Sequence, residues 1–299
     1  MKRSYLRLAI CMFSLFMLLL PVHASEPVET GRTGTITIEG YPGEGAHFYF
    51  YKVADVNENM EFTLTDTFRP YEENVILNDI HDQNTWAELA ETLRSYAVGD
   101  KLKTYKSLIY TSGCKAELET GLYLMLSDPI IIDGWTCRTI PMFVTMPTAD
   151  ETTGDWIYDY TIVPKQEKEP VRNKETEYKV IKQWADGNGT KRPPSIKVNI
   201  IKNGVVYETV VLNKDNDWCY TWKAMDDGSE WYVQEVSIPL GYKVRISHNA
   251  TTFILCNYTD APNTSDPGTS KAPMIGLCLG GAGALLAGYL LLTGRKESK

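Results

Sequence analysis

Histidine is scarce in this chain: there are four in 299 residues, and His23 belongs to a leader-like N-terminus. The other three, His47, His81 and His248, are widely spaced, and no His-Glu-x-x-His or Cys-x-x-Cys pair occurs. Zinc sites need several nitrogen or sulfur ligands at such spacings, so no metal is expected. Also lacking are a Gly-x-Ser-x-Gly elbow and a glycine-rich phosphate loop, the local signatures of hydrolase and nucleotide chemistry. Neither a cofactor nor an enzyme of turnover is therefore expected. No long basic run crosses the middle of the chain, and the formal net charge is -8. Binding to a phosphate backbone requires clustered Lys and Arg, so nucleic acid is not expected as a partner. Asp186-Gly-Asn-Gly-Thr190 opens like a calcium loop but lacks the later glutamate ligand, and it reads as a turn in which Asp, Asn and Gly accept unusual backbone angles.

The two ends of the chain are apolar. Residues 1–24 combine Lys2, Arg3 and Arg7 with an apolar run from Leu8 to Leu20 and a small Ala24 at the cleavage edge, the pattern of a secretory signal peptide. Residues 274–292 are apolar residues with Gly and Ala, close to the roughly 20 residues that span a bilayer. In the tail, 293–299, Arg295, Lys296 and Lys299 hold that end in the cytoplasm. The middle is thus expected at the cell surface, tethered by a single membrane pass. The spacer 260–273 contains Ala261-Pro-Asn-Thr-Ser-Asp266. It resembles the sortase sorting signal Leu-Pro-x-Thr-Gly in Pro262, Thr264 and the following Asp266, and departs from it at Ala261 and Ser265. The resemblance implies a sortase partner that cuts after Thr264 and passes the acyl group to an amine on peptidoglycan or on another pilin subunit. Without cleavage, the protein remains a membrane-tethered one.

With the ends removed, the length leaves room for two domains. In 33–165, alternation and β-branched or aromatic content predict strands at Gly34–Ile38, Ala46–Ala54, Gly121–Leu126, Pro141–Pro147 and Trp156–Lys165. One helix is predicted over about Trp86–Ala97, with Trp86, Leu89, Ala90, Leu93, Tyr96 and Ala97 on one stripe and Thr85 with Glu88 as a capping box. The fold class is mainly β: a β-sandwich with a helical insertion. Residues 166–176 read as a charged linker, and a second β-rich segment occupies 177–259.

Three polar residues of that second segment fall where apolar neighbours fall. The period of two puts Lys182 in phase with Val180 and Trp184, Glu235 with Trp231 and Val233, and Asn257 with Phe253 and Leu255. Burial disfavours the charged forms of both lysine and glutamate. A neutral Lys182 amine is a nucleophile, and a protonated Glu235 can polarise the Asn257 carboxamide. Attack with loss of ammonia would leave an intramolecular isopeptide bond. On spacing alone, a plain ion pair between Lys182 and Glu235, with Asn257 satisfying a strand end, is the alternative.

The segment made up in order of Val180-Ile-Lys-Gln-Trp, Lys191-Arg-Pro, Ser195-Ile-Lys-Val-Asn-Ile, Asn216-Asp-Trp-Cys-Tyr-Thr-Trp, Tyr232-Val-Gln-Glu, Gly241-Tyr and Phe253-Ile-Leu-Cys-Asn resembles a Cna protein B-type domain. The resemblance implies two immunoglobulin-like sandwiches in all, and a bond between Lys182 and Asn257 catalysed by Glu235. Phe50-Tyr-Lys-Val-Ala-Asp, Glu119-Thr-Gly-Leu-Tyr-Leu and Trp156–Lys165 resemble, more loosely, the N-terminal domain of Gram-positive pilin subunits. There a lysine after Tyr-Pro receives the next subunit, which implies Lys165 here, although Val163 stands where the tyrosine would be. The alternative for Lys165 is a solvated lysine at the mouth of a linker. A Lys52–Asp159 cross-link lacks a catalytic carboxylate, since Glu119 reads as preceding its strand, so Lys52 is taken as structural.

Of six cysteines, Cys11 and Cys278 lie in the apolar ends. Cys114, Cys137, Cys219 and Cys256 permit two disulfides in an exported protein, with Cys114–Cys137 and Cys219–Cys256 the simplest of three connectivities. The phase of their strands puts Cys219 and Cys256 on outer faces. The expected function is a surface-exposed structural protein of a Gram-positive bacterium, a pilin-like subunit or wall-anchored stalk. The alternative is an adhesin that grips a host or matrix ligand through its N-terminal domain.

Overall fold

The computed structural model describes residues 26–74, 77–80, 82–150, 152–187 and 191–259. The signal sequence, the sorting motif with Thr264 and the apolar span with its tail lie outside the described residues. Among the described residues, no helix is long and apolar enough to cross a membrane.

In chain order the strands of the first half are β1 (Thr33–Ile38), β2 (His47–Val56), β3 (Phe62–Leu64), β4 (Lys106–Ile109), β5 (Cys114–Glu119), β6 (Gly121–Ser127), β7 (Ile130–Ile132), β8 (Trp135–Thr139), β9 (Met142–Met146), β10 (Thr148–Ala149), β11 (Trp156–Ile157), β12 (Asp159–Ile162) and β13 (Gln166–Pro170). The helix α1 (Gln83–Gly99) lies between β3 and β4. The second half contains β14 (Glu175–Ala185), β15 (Ser195–Lys202), β16 (Val205–Asn213), β17 (Cys219–Met225), β18 (Trp231–Glu235), β19 (Lys243–Asn249) and β20 (Thr252–Tyr258). The protein is mainly β, and α1 is its one α-helix among the described residues.

The central sheet of the first half has the order β3-β2-β6-β9, with β4 also on β2. Both of its faces are covered, which explains the nearly unbroken apolar run Gly121-Leu-Tyr-Leu-Met-Leu. Leu122, Leu124 and Leu126 join Val53, Trp86, Leu89 and Leu93 beneath α1. Tyr123 and Met125 join Phe48, Phe50, Ile36 and Ile38 on the other side, where the sheet β12-β1-β5 packs. The helix therefore forms a third layer against the sheet. It starts earlier than its apolar stripe predicts, because Asp82 is the N-cap, with its carboxylate accepting from the Thr85 backbone N–H at 2.9 Å. The expected Thr85–Glu88 box is not the cap.

In the second half, β17-β14-β20-β19 faces β16-β15-β18, with Val180, Val198, Ile200, Val233, Val244 and Leu255 between them. In each half the first strand runs parallel to a late one: β1 beside β12, and β14 beside β20. The described residues form one compact unit.

Three sequence expectations are corrected here. The predicted strand Trp156–Lys165 is split into β11 and β12, which pair with β10 and β1 respectively. Glu119 closes β5 rather than standing outside a strand. Much of the presumed spacer is β13, which pairs antiparallel with β8. Its charges have a partner there, since the Arg138 guanidinium reaches Glu167 at 3.0 Å and Glu169 at 3.9 Å.

Candidate functional site

Burial along β14 alternates: Tyr178, Val180 and Lys182 are buried, whereas Lys179, Ile181 and Gln183 are half-buried. Lys182 thus lies on the inner face. On β20 the same alternation buries Phe253, Leu255 and Asn257. The parallel register pairs Lys182 with Leu255 and Trp184 with Asn257, so Lys182 and Asn257 are diagonal neighbours. Strand spacing and rise put their backbones roughly 8 Å apart, a gap that a lysine side chain spans. Glu235 comes from the facing sheet, at the end of β18, whose five residues are all buried.

The three side chains meet in a closed space. The Lys182 ammonium nitrogen is 3.9 Å from Glu235 Oε2, and neither side chain is exposed at all. Asn257 Nδ2 donates to Glu235 Oε1 at 3.2 Å. Lys182 Nζ also donates to the Gln183 carbonyl at 3.0 Å and sits 4.2 Å above the Trp184 ring. Trp218 and Tyr242 each contact Trp184 edge-on, so aromatic rings form the wall beside the amine. Glu235 Oε2 and Asn257 Oδ1 are buried without a hydrogen-bond partner.

Burial is the main influence on both titrating groups. It lowers the Lys182 pKa to about 8, against the opposing pull of Glu235. It raises that of Glu235 to about 7, against the Lys182 charge and the Asn257 hydrogen bond. At 3.9 Å this is a poor ion pair, and desolvating two charges costs several kcal/mol each, roughly, when geometry does not repay it. The neutral pair is therefore within easy reach. In its neutral tautomer such a centre brings an unprotonated amine, a carboxylic acid and an unsatisfied carboxamide oxygen together, away from water.

The other predicted residues are elsewhere. Lys165 is exposed, with its carbonyl held by the Ile140 N–H at 2.9 Å, so it stands between two strands and not at the mouth of a flexible linker. Lys52 pairs with Asp55 at 2.7 Å and Glu119 at 3.7 Å, while Asp159 is exposed on β12. Among the described residues no disulfide is formed. Cys219 lies opposite Ile181 on one side of β14, and Cys256 opposite Gln183 on the other. Two strand spacings are about 10 Å, beyond the reach of a bridge. Cys256 is buried, not on an open face, across from Arg245 on β19. Asp186, at the turn after β14, accepts from Arg192 Nε and from the Tyr242 hydroxyl, each at 2.8 Å.

Sequence reasoning assigned α1 to the first half alone. The helix also packs on β18 and β19: Arg245 donates to Glu88 at 3.1 Å, the Ile246 N–H to Thr92 Oγ1 at 3.0 Å, and Gln234 to Asp100 at 2.7 Å. The sequence carried no signal for this second contact, because Glu88, Glu91, Thr92 and Ser95 read as the solvated stripe of a helix with one buried face.

Residues 178–258 match the family described as the Cna protein B-type domain. A curated protein, the collagen adhesin of Staphylococcus aureus, is 28% identical over 168 residues, which is 47% of this chain and 14% of that protein's length. Among solved structures, a single B repeat unit of the collagen-binding surface protein of Staphylococcus aureus aligns at 18% identity. That alignment covers 76% of this chain and 98% of that one, with a TM-score of 0.27. The basal pilin SpaE of Lactobacillus rhamnosus GG aligns at 16% identity over 73% of this chain and 86% of its own, with a TM-score of 0.29.

Proposed function

We propose that this chain, which carries a Cna protein B-type domain, is a surface-exposed structural protein of a Gram-positive bacterium, a pilin-like subunit or wall-anchored stalk stiffened by an isopeptide bond it makes in itself. The observation that carries this reading is the sealed meeting of Lys182, Glu235 and Asn257, with both side chains of the Lys–Glu pair fully shielded from water. In the reaction, the neutral Lys182 amine attacks Asn257 Cγ while the Glu235 acid hydrogen-bonds to Oδ1. A proton from the lysine nitrogen passes through Glu235 to the departing Nδ2. The new N–C bond forms, the old C–N bond breaks and one ammonia leaves. The centre is used once and needs no external substrate.

The immunoglobulin-like character of both sandwiches, with boundaries at 33–165 and 177–259, belongs to the same reading, as do the export signal in residues 1–24 and the membrane span 274–292. So does assembly: a sortase acts at Thr264, and the exposed Lys165 amine accepts another subunit. The intact mass of the reduced chain beside its Glu235→Ala variant tests the central claim. A deficit of one ammonia in the parent alone is expected, and full mass in both would overturn the bond.

A second reading, an adhesin for a matrix ligand, draws support from the collagen adhesin relative. A cleft of about 510 Å³ lined by Tyr49, Tyr51, Arg94, Glu230 and Tyr232 gives a ligand somewhere to sit. Ligand binding by a chain that stays monomeric in wall extracts would favour it, whereas a ladder of covalent polymers would favour the pilin.

A further inference from the structure

A buried side chain from outside the B-type domain joins the apolar cluster of that domain. Tyr96, in the last turns of α1, is 5% exposed and belongs to the apolar cluster of the second half, among Val180, Val233 and Leu255. Its hydroxyl is buried with no hydrogen-bond partner, as are Glu235 Oε2 and Asn257 Oδ1. An unpaired buried donor and an unpaired buried acceptor each carry a desolvation penalty that mutual pairing would remove. Burial, and after it the charge of Glu235, pushes the Tyr96 hydroxyl's acidity out of the working range, so this hydroxyl remains a donor. Asp100 and Tyr71 are the other titratable groups facing it. Glu235 is faced by Lys182 from β14 and Asn257 from β20.

The helix is positioned for this role. Its last residue, Gly99, lies so close to β18 and β15 that an added Cβ would sit 2.6 Å from Gln234 Oε1 and 2.9 Å from Ile201 Cδ1. Gln234, the neighbour of Glu235, is in turn tied to Asp100 just beyond the helix. The ring of Tyr71 lies 5.2 Å from that of Tyr96.

We propose that Tyr96 is a positioning residue for isopeptide formation: its hydroxyl, which has no partner in this structure, turns in the reacting state onto the equally unpaired Glu235 Oε2, so that the acid proton is carried on the oxygen facing Asn257. The B-type domain then matures fast only when α1 is docked on it, and packing of the first half is linked to cross-linking of the second. This inference rests on the bond-forming reading of the preceding section.

The test is a time course. The full chain is synthesised cell-free in detergent, portions are quenched in denaturant, and the loss of ammonia is followed by intact mass across a pH series. The parent, Tyr96→Phe, Tyr71→Phe and Glu235→Ala are compared, with Tm as a check on packing. The phenylalanine keeps the ring and removes only the hydroxyl. Loss of one hydrogen bond to an ionisable group predicts that Tyr96→Phe reacts about tenfold slower, with the acid limb of its pH–rate profile displaced, while Tyr71→Phe follows the parent. A Tyr96→Phe chain with the parent's rate and profile overturns the role of Tyr96 and leaves the bond standing. Equal slowing in both phenylalanine variants at every pH also overturns it, since that is looser packing alone. A parent that keeps its full mass overturns the bond itself, and this inference with it.

Discussion

If Lys182, Glu235 and Asn257 form the proposed bond, protonation at Lys182 and Glu235 sets when the centre can react. Nucleophilic attack needs the amine unprotonated and the carboxyl protonated, which is one of two tautomers of the pair that has lost a single proton. That pool is largest between the two titrations, which burial brings to about 7 for Glu235 and about 8 for Lys182. Below this interval Lys182 is charged, and above it Glu235 is ionised. The rate of ammonia loss should therefore pass through a maximum between about pH 7 and 8 and fall on both sides. A rate that climbs steadily to pH 10 would mean that the carboxyl takes no part as an acid. These three residues were legible in sequence because each breaks an alternation that its strand otherwise keeps: Lys182 in phase with Val180, Glu235 with Val233, Asn257 with Leu255. Tyr96 was not, because tyrosine on an apolar stripe breaks no pattern, and only tertiary packing assigns it to one core or another.

Among the elements, α1 departs furthest from what the sequence offers. Its buried residues include Thr92, Arg94 and Ser95 as well as the expected Trp86, Leu89 and Leu93, since it is covered on two sides. Periodicity reports the apolar face, but says nothing about a polar face buried by complementary charge. The same blind spot hid β13, where glutamates that look solvated lie against Arg138. Two substitutions separate the two faces. Trp86→Ala should cost about 3–5 kcal/mol in denaturant unfolding, the usual loss for a large aromatic buried in a core. Gly99→Ala would stabilise an exposed helix by up to about 1 kcal/mol, but here the methyl meets a pinned Gln234 and Ile201. Overpacking of about 1–3 kcal/mol should prevail, so the unfolding midpoint is expected to fall; a rise would mean that α1 stands off β18.

For the molecule as a whole, the junction between the halves is polar and partly buried. Burial pushes the Glu91 carboxyl up, but the Arg94 charge, the His248 hydrogen bond and charge, and Arg138 together outweigh it and hold its pKa at about 2, below the ordinary 4.5. A depressed carboxyl contributes stability above about 4.5 that is lost as pH falls through its folded value. Acid unfolding should thus steepen between about pH 4.5 and 2, and Glu91→Gln should flatten that limb in a Tm–pH series. If the limb is unchanged, the junction is not the acid-labile element.

The pairing of β13 with β8 has a consequence for shape under load. A free tether of this length would let two globules swivel like beads on a string. Here the chain stays zipped to the first half until Pro170 and enters β14 at Glu175, leaving four residues unpaired by any strand. There is little slack to absorb bending, so a file of such units would behave as a rod, and a tug at one end would be felt at the other before any coil had been paid out.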